Sequence, residues 1–137
     1  MRWVALALVR ARVRLRGERA TRSLVALVDT GARMSVLDKA LADELGVLYT
    51  GRELSFISIS GHRLRAVEAV VPELELEGIG LRYEAVAVAE LPEAVKNALT
   101  SSGLDEGLII GLLTLERANL VPDPTTGGLR HVESFIL

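Results

Sequence analysis

Residues 24–37 read LVALVDTGARMSVL. An apolar run suited to a buried strand stops on Asp29, passes through Thr30 and Gly31, and resumes at once with apolar residues. A carboxylate at the end of a buried strand is costly unless something satisfies it. Two readings answer that cost. Asp29 can cap its own turn, accepting hydrogen bonds from the amides of Gly31 or Ala32 as aspartates in turns commonly do. Alternatively, the acid is held there for chemistry. The tripeptide alone does not decide, because Asp-Thr-Gly arises by chance in roughly a few per cent of chains of this size.

Upstream, Val4 to Leu15 alternate, GERATR follows, and the apolar run begins at Leu24. This predicts two strands joined by a turn at Gly17, a hairpin that delivers Asp29 at a strand end. Arg10, Arg12, Arg14 and Arg16 fall on one face of the first strand. Period-2 amphipathicity explains that stripe as a solvated face, the reading preferred here over a phosphate-binding surface. The apolar run from Trp3 to Val9 is short for a signal-peptide core or a membrane span. The expectation is a soluble, cytoplasmic protein.

Downstream, Ser35 with Asp38 three residues on has capping-box spacing. A helix is predicted behind it, with Leu37, Ala40, Leu41 and Leu45 on one face and Gly46 at its end. ELSFISIS, GHR and LRAVEAVV make residues 53–71 a long hairpin with its tip at Ser60, Gly61 and His62. PELELEG and IGLRYEAVAVAEL add two strands, and PEAVKNALTSSG a helix between Pro92 and Gly103. Leu108 to Leu113 reads as a buried strand interrupted by Gly111, where backbones approach closely. TLERAN supplies a helical turn or two, and VPDPTTGGLRHVESFIL a hairpin.

With 137 residues, half of them apolar and a quarter charged, the chain is expected to form one folded domain, 1–137. It has no cysteine, and its two histidines are far apart, so no metal or cofactor is expected. A net charge of −2 gives no overall footprint for nucleic acid.

LVALVDTGA together with LIIG resembles the retropepsin-like (retroviral-type) aspartic proteases, and LIIGLLTLERANLVPDPTTGGL is similar to their single-domain prokaryotic relatives. The resemblance implies a mainly β fold, a closed or partly open barrel with two or three short helices. It implies peptide hydrolysis by two adjacent carboxylates, one acting as general base on water and one as general acid. Two such groups share a proton and titrate as a pair. Of the other aspartates, Asp38, Asp43, Asp105 and Asp123, none is followed by Thr-Gly or Ser-Gly. The implied enzyme is therefore a homodimer in which Asp29 meets its own copy on a two-fold axis.

In that scheme Thr30 bonds across the dyad, Gly31 permits the turn and offers its amide, Ala32 keeps the loop compact, and Gly111 lets the strand pass behind it. Ser60, Gly61 and His62 form a flap tip over a polypeptide substrate, with His62 read as exposed rather than touching it. WVALALV and VESFIL are either interface strands or core strands. The chain departs from the family where a charged or amide residue often stands two positions after the glycine: here it is Leu113, which points to apolar packing. Arg33 would favour an ionised Asp29 if it faced the acid. The competing functions are a non-catalytic dimeric peptide-binding module of the same fold and, more remotely, an Arg-striped sheet that docks on an anionic partner. No nucleic-acid or membrane partner is expected.

Overall fold

The structure is a computed structural model that describes residues 8–57 and 63–133. Strict alternation builds its first strand. β1 (Val9–Arg16) buries Val9, Ala11, Val13 and Leu15 and turns its four arginines to solvent. β2 (Thr21–Val28) returns antiparallel beside it, from Thr21 opposite Arg16 to Val28 opposite Val9. The turn between them docks on the end of α1 (Lys39–Leu45), where the amides of Arg19 and Glu18 donate to the carbonyls of Leu45 and Gly46 at 2.8 and 2.9 Å. The docking satisfies carbonyls that a helix end leaves open. A Cβ on Gly17 would stand 2.1 Å from the Leu45 oxygen, so this position requires glycine for close approach.

β5 (Arg63–Leu76) closes the barrel. One edge pairs with β6 (Ile79–Ala89) from Val67 to Leu76. The other edge serves β4 (Leu48–Ile57) as far as Val70 and then β1 from Glu73 onward. Pro72 has no N–H to donate and sits in the gap between those two partners, where its loss is tolerated. The two strands expected on either side of Pro72 are therefore one strand. Its inward face switches phase there, from Ala69 and Val71 to Leu74 and Leu76. β6 makes the matching slip at Tyr83, whose φ is 56°, so that Leu81 is buried on one side of it and Glu84, Val86 and Val88 on the other.

β7 (Leu108–Ile110) lies between β2 and β3 (Val36–Asp38), parallel to the first and antiparallel to the second. The order β1-β2-β7-β3-β6-β5 then returns to β1, giving a closed, mixed six-strand barrel. Leu15, Leu37, Val71, Leu74, Val86, Leu108 and Ile110 fill it. The other two helices are α2 (Glu93–Ser101) and α3 (Leu112–Ala118), and β8 (Leu120–Asp123) with β9 (Gly128–His131) makes a separate hairpin. The described residues are thus mainly β, a barrel with three short helices among them.

The arginine stripe has matched partners across the closing seam. Arg12 pairs with Glu77 at 3.0 Å, Arg14 with Glu75 at 3.7 Å and Arg16 with Glu73 at 3.3 Å. Exposed pairs of this kind are each worth only about 0–1 kcal/mol. Their alternation is what matters, because a one-residue slip would set the arginines opposite Leu74 and Leu76 and turn the buried leucines outward.

Three expectations are corrected. Ser35 is not a helix cap: Val36 to Asp38 are drawn into the barrel between β6 and β7, and the cap is Asp38, whose carboxylate accepts from the Ala40 amide at 3.3 Å. The helix therefore buries Leu41, Ala42 and Leu45, with Ala40 exposed and Leu37 a barrel residue. The strand from Leu108 ends at Ile110 rather than Leu113, since the amides of Leu112 and Leu113 turn away to carbonyls of the Asp29 loop and α3 begins. The hairpin of β4 and β5 runs from Leu48 opposite Val70 to Ile57 opposite Arg63. Its tip, Ser60, Gly61 and His62, lies outside the described residues, as do most of the two terminal segments. Among the described residues no helix is long and apolar enough to cross a membrane.

Candidate active site

Asp29 stands where β2 leaves the sheet. Leu24, Ala26 and Val28 are committed to the interior, and Val28 pairs in parallel with Ile110. The Asp29 amide makes the last ladder bond, to the Ile110 carbonyl at 2.8 Å. The chain then turns, with the Ala32 amide donating to the Asp29 carbonyl at 3.1 Å and the Gly31 amide to Asp29 Oδ1 at 2.9 Å. The turn-capping reading is thus realised at Gly31. Asp29 Oδ2 is left without a hydrogen-bond partner among the described residues, and the side chain is exposed in the single chain. Thr30 and Gly31 are exposed beside it, and the Thr30 hydroxyl also has no partner among the described residues. Arg33 faces solvent and forms no ion pair with Asp29.

The back of this loop is fixed by residues 111–113. The amides of Leu112 and Leu113 donate to the carbonyls of Ala32 and Arg33 at 2.8 and 2.9 Å. A Cβ on Gly111 would lie 2.4 Å from the Met34 oxygen and 2.8 Å from the Ala32 oxygen, so no other residue fits there unless the loop moves. Asp29, Thr30, Gly31, Ala32 and Gly111 are therefore brought together by the fold. The side chains of Leu112 and Leu113 remain 39% and 40% exposed on the same end of the barrel.

A second set of residues behind the loop is not foreseen by the sequence reading. The Gly111 amide donates to Ser35 Oγ at 3.0 Å, Ser35 Oγ and Thr114 Oγ1 are 2.6 Å apart, and Thr114 Oγ1 donates to Glu84 Oε2 at 2.7 Å. Arg117 closes the series on Glu84 Oε1. Ser35, Thr114 and Glu84 are all buried. The available signal was slight: single hydroxyl residues inside the apolar runs RMSVL and GLLTL.

The other aspartates are engaged elsewhere. Asp38 accepts from the Leu91 amide at 3.0 Å and pairs with Lys96 at 3.4 Å. Burial pulls the Lys96 ammonium down, but the hydrogen bond and charge of Asp38 outweigh it and leave its pKa raised. Asp105 accepts from the Val25 amide at 2.7 Å, Asp43 pairs with Lys39, and Asp123 accepts from the Thr125 hydroxyl and amide in the β8–β9 turn.

Met34 and Val36 pack with Leu54, Phe56 and Ala66 of the β4–β5 hairpin and with Ala87 and Ala89 of β6 in a small apolar cluster. A groove of about 800 Å³ adjoins it, with Leu54, Ala66 and Ala89 in its wall. Asp29 does not line that groove, so in one chain the acid and this concavity are separate.

A family model described as aspartyl protease matches residues 11–116, most of the chain. No curated protein matches the chain.

Proposed function

The chain belongs to the aspartyl protease family, in its retropepsin-like clan, and from that premise we propose that it is a homodimeric endopeptidase with one Asp29 from each subunit in its dyad. One observation carries the dimer. Asp29 is exposed with Oδ2 unbonded among the described residues, and no other aspartate lies on its loop: Asp38, Asp43, Asp105 and Asp123 bond groups elsewhere in the chain. Hydrolysis by this route needs a second carboxylate, and a second copy is the source that requires no rearrangement.

With two copies of Asp29 a few ångströms apart, one proton is shared between them. The ionised acid takes a proton from water, whose oxygen attacks the scissile carbonyl carbon, while the other acid gives its proton to the carbonyl oxygen. The tetrahedral diol then collapses, breaking the C–N bond as a proton passes to the leaving nitrogen. The Gly31 amide holds Asp29 Oδ1 in place, which leaves Oδ2 available for the proton transfers. Thr30, exposed beside it, is the group that would bond across the axis. Leu112 and Leu113, exposed beside the loop, would be covered by the partner. The substrate is an extended polypeptide segment lying against the β4–β5 hairpin. Its side chains would meet the apolar wall formed by Leu54, Ala66 and Ala89.

The test joins sedimentation with digestion of an unfolded protein between pH 3 and 8. The reading requires a dimer that cleaves, and an Asp29→Asn dimer that does not. A strictly monomeric protein that cleaves, or cleavage unaffected by the substitution, refutes it. Dimers that bind peptide without cutting would make the chain a binding module.

A further inference from the structure

The hydrogens in the buried series behind the loop can be assigned by counting. The Gly111 N–H can only donate, so Ser35 Oγ accepts from it. The single Thr114 hydroxyl hydrogen goes to the Glu84 carboxylate, which has none to give. The remaining contact, Ser35 to Thr114, then has one solution: Ser35 donates. Every bond points the same way, from the Gly111 amide through two hydroxyls to Glu84, and Arg117 holds the far oxygen. Such buried chains strengthen one another when complete and fail together when one member is lost.

We propose that Glu84, Thr114 and Ser35 are positioning residues for Asp29, a one-way hydrogen-bond relay that locks the catalytic loop onto the first turn of α3. The relay has two ends that matter. Ser35 is where the Asp29 loop re-enters the barrel, and its carbonyl accepts from the Ala87 amide of β6 at 2.9 Å. Gly111 is where β7 ends, one residue from the Leu112 amide that holds the Ala32 carbonyl. Glu84 reaches this point because of the phase slip at Tyr83, which turns residues 84, 86 and 88 inward. An acid at the buried end sets the direction of the whole series: an acceptor there leaves Thr114 free to accept from Ser35, and Ser35 free to accept from Gly111. With an apolar residue at 114, the Ser35 hydrogen and the Glu84 oxygen would both lose their partner.

The inference rests on the proposed peptidase reading for its catalytic consequence, but its physical content can be tested without activity. The experiment compares wild type, Thr114→Val and Thr114→Ser as full chains, by amide hydrogen exchange and peptide hydrolysis. In Thr114→Val the amides of Gly111, Leu112 and Leu113 should exchange at least about tenfold faster, while those of Ala11 and Val13 in β1 stay within about twofold of wild type. Thr114→Ser, which keeps the hydroxyl, should restore protection. If wild type hydrolyses peptide, kcat should fall about tenfold or more in the valine variant with KM nearly unchanged, and recover in the serine variant. Unchanged exchange at residues 111–113, a uniform rise across β1 as well, or equal behaviour of valine and serine would overturn the relay. An inactive wild type with the expected exchange pattern would refute the peptidase and leave the relay standing. If the valine variant does not fold, Glu84→Gln is measured in its place. Its one amide oxygen cannot stand at both of the carboxylate positions to which Thr114 and Arg117 donate, and the same loosening at 111–113 is required.

Discussion

Replacing Gly111 with alanine tests the geometry of the site most directly. The added Cβ would stand 2.4 Å from the Met34 oxygen, 2.5 Å from its carbonyl carbon and 2.8 Å from the Ala32 oxygen. Ordinary contact begins at 3.4 Å, so the Met34 oxygen must retreat by the difference, about 1 Å. These are backbone atoms, and no flexible side chain can absorb the move. Overpacking of this kind costs about 1–3 kcal/mol, and a rigid neighbour places this site at the upper end. At roughly 4 °C per kcal/mol for a chain of this size, the melting temperature should drop by about 10 °C. The displaced segment is the Asp29 loop itself, and a misplacement of about 1 Å at a catalytic group is worth on the order of 100-fold in rate. Thermal unfolding and peptide hydrolysis on the same preparation measure both. A Gly111→Ala protein with wild-type melting and wild-type kcat would refute the claim that this strand wedges the loop from behind.

The other predictions concern single groups. Asp29→Asn keeps the side-chain oxygen that accepts from Gly31, so fold and dimer should survive by circular dichroism and sedimentation while hydrolysis falls by at least about 10³-fold. Leu113→Arg places a charge where the proposed interface is apolar. Losing that burial on both copies, at about 1–2 kcal/mol each, should raise the dimer dissociation constant by at least about tenfold in sedimentation equilibrium; an unchanged constant would exclude this face. The Asp123 carboxyl lies below its ordinary value of 3.8 because the Thr125 hydroxyl bonds it, with the Thr125 amide adding to the effect. A depressed folded pKa means the β8–β9 turn is stabilised above the ordinary carboxylate range and loses that support as pH falls through the folded value. Amide shifts of Thr125 and Thr126 should follow that transition in wild type and not in Asp123→Asn.

The sequence was most readable where one signal governed a whole element. Alternation from Val9 located β1 and its exposed arginines, and the stop at Asp29 located the end of β2, because period and burial agree there. It was least readable where neighbours overruled local pattern. Val36 to Asp38 carry helix-start spacing, but they lie between two strands that need a partner, and the barrel takes them. Leu112 and Leu113 look like the continuation of a buried strand; only the positions of the Ala32 and Arg33 carbonyls turn their amides into a helix start. The phase slip at Pro72 and Tyr83 depends on which strands share the edges of β5, a fact of three-dimensional order that no window of sequence contains. Asp29, Thr30, Gly31, Ala32 and Gly111 were identified by motif. Ser35, Thr114 and Glu84 were not, because their significance lies in meeting one another across separations of 79 and 30 residues.

The two separated stretches that carry the family likeness are physically a single unit. The ends of β7 and α3 contribute four hydrogen bonds to the Asp29 loop: the Ile110 carbonyl accepts from Asp29, the Gly111 amide reaches Ser35, and the Leu112 and Leu113 amides reach Ala32 and Arg33. All of them act on the rear of the loop. Among the described residues, what remains open in one chain is Asp29 Oδ2, the Thr30 hydroxyl and the exposed sides of Leu112 and Leu113. A loop that merely ended a strand would need no such backing, since turns of this size are stable with their own hydrogen bonds. Rigidity behind and unsatisfied groups in front is the arrangement expected of a half-site. In the proposed dimer, an acid held in place before the partner arrives would reduce the ordering that assembly must otherwise impose, and association would create the proton-sharing pair.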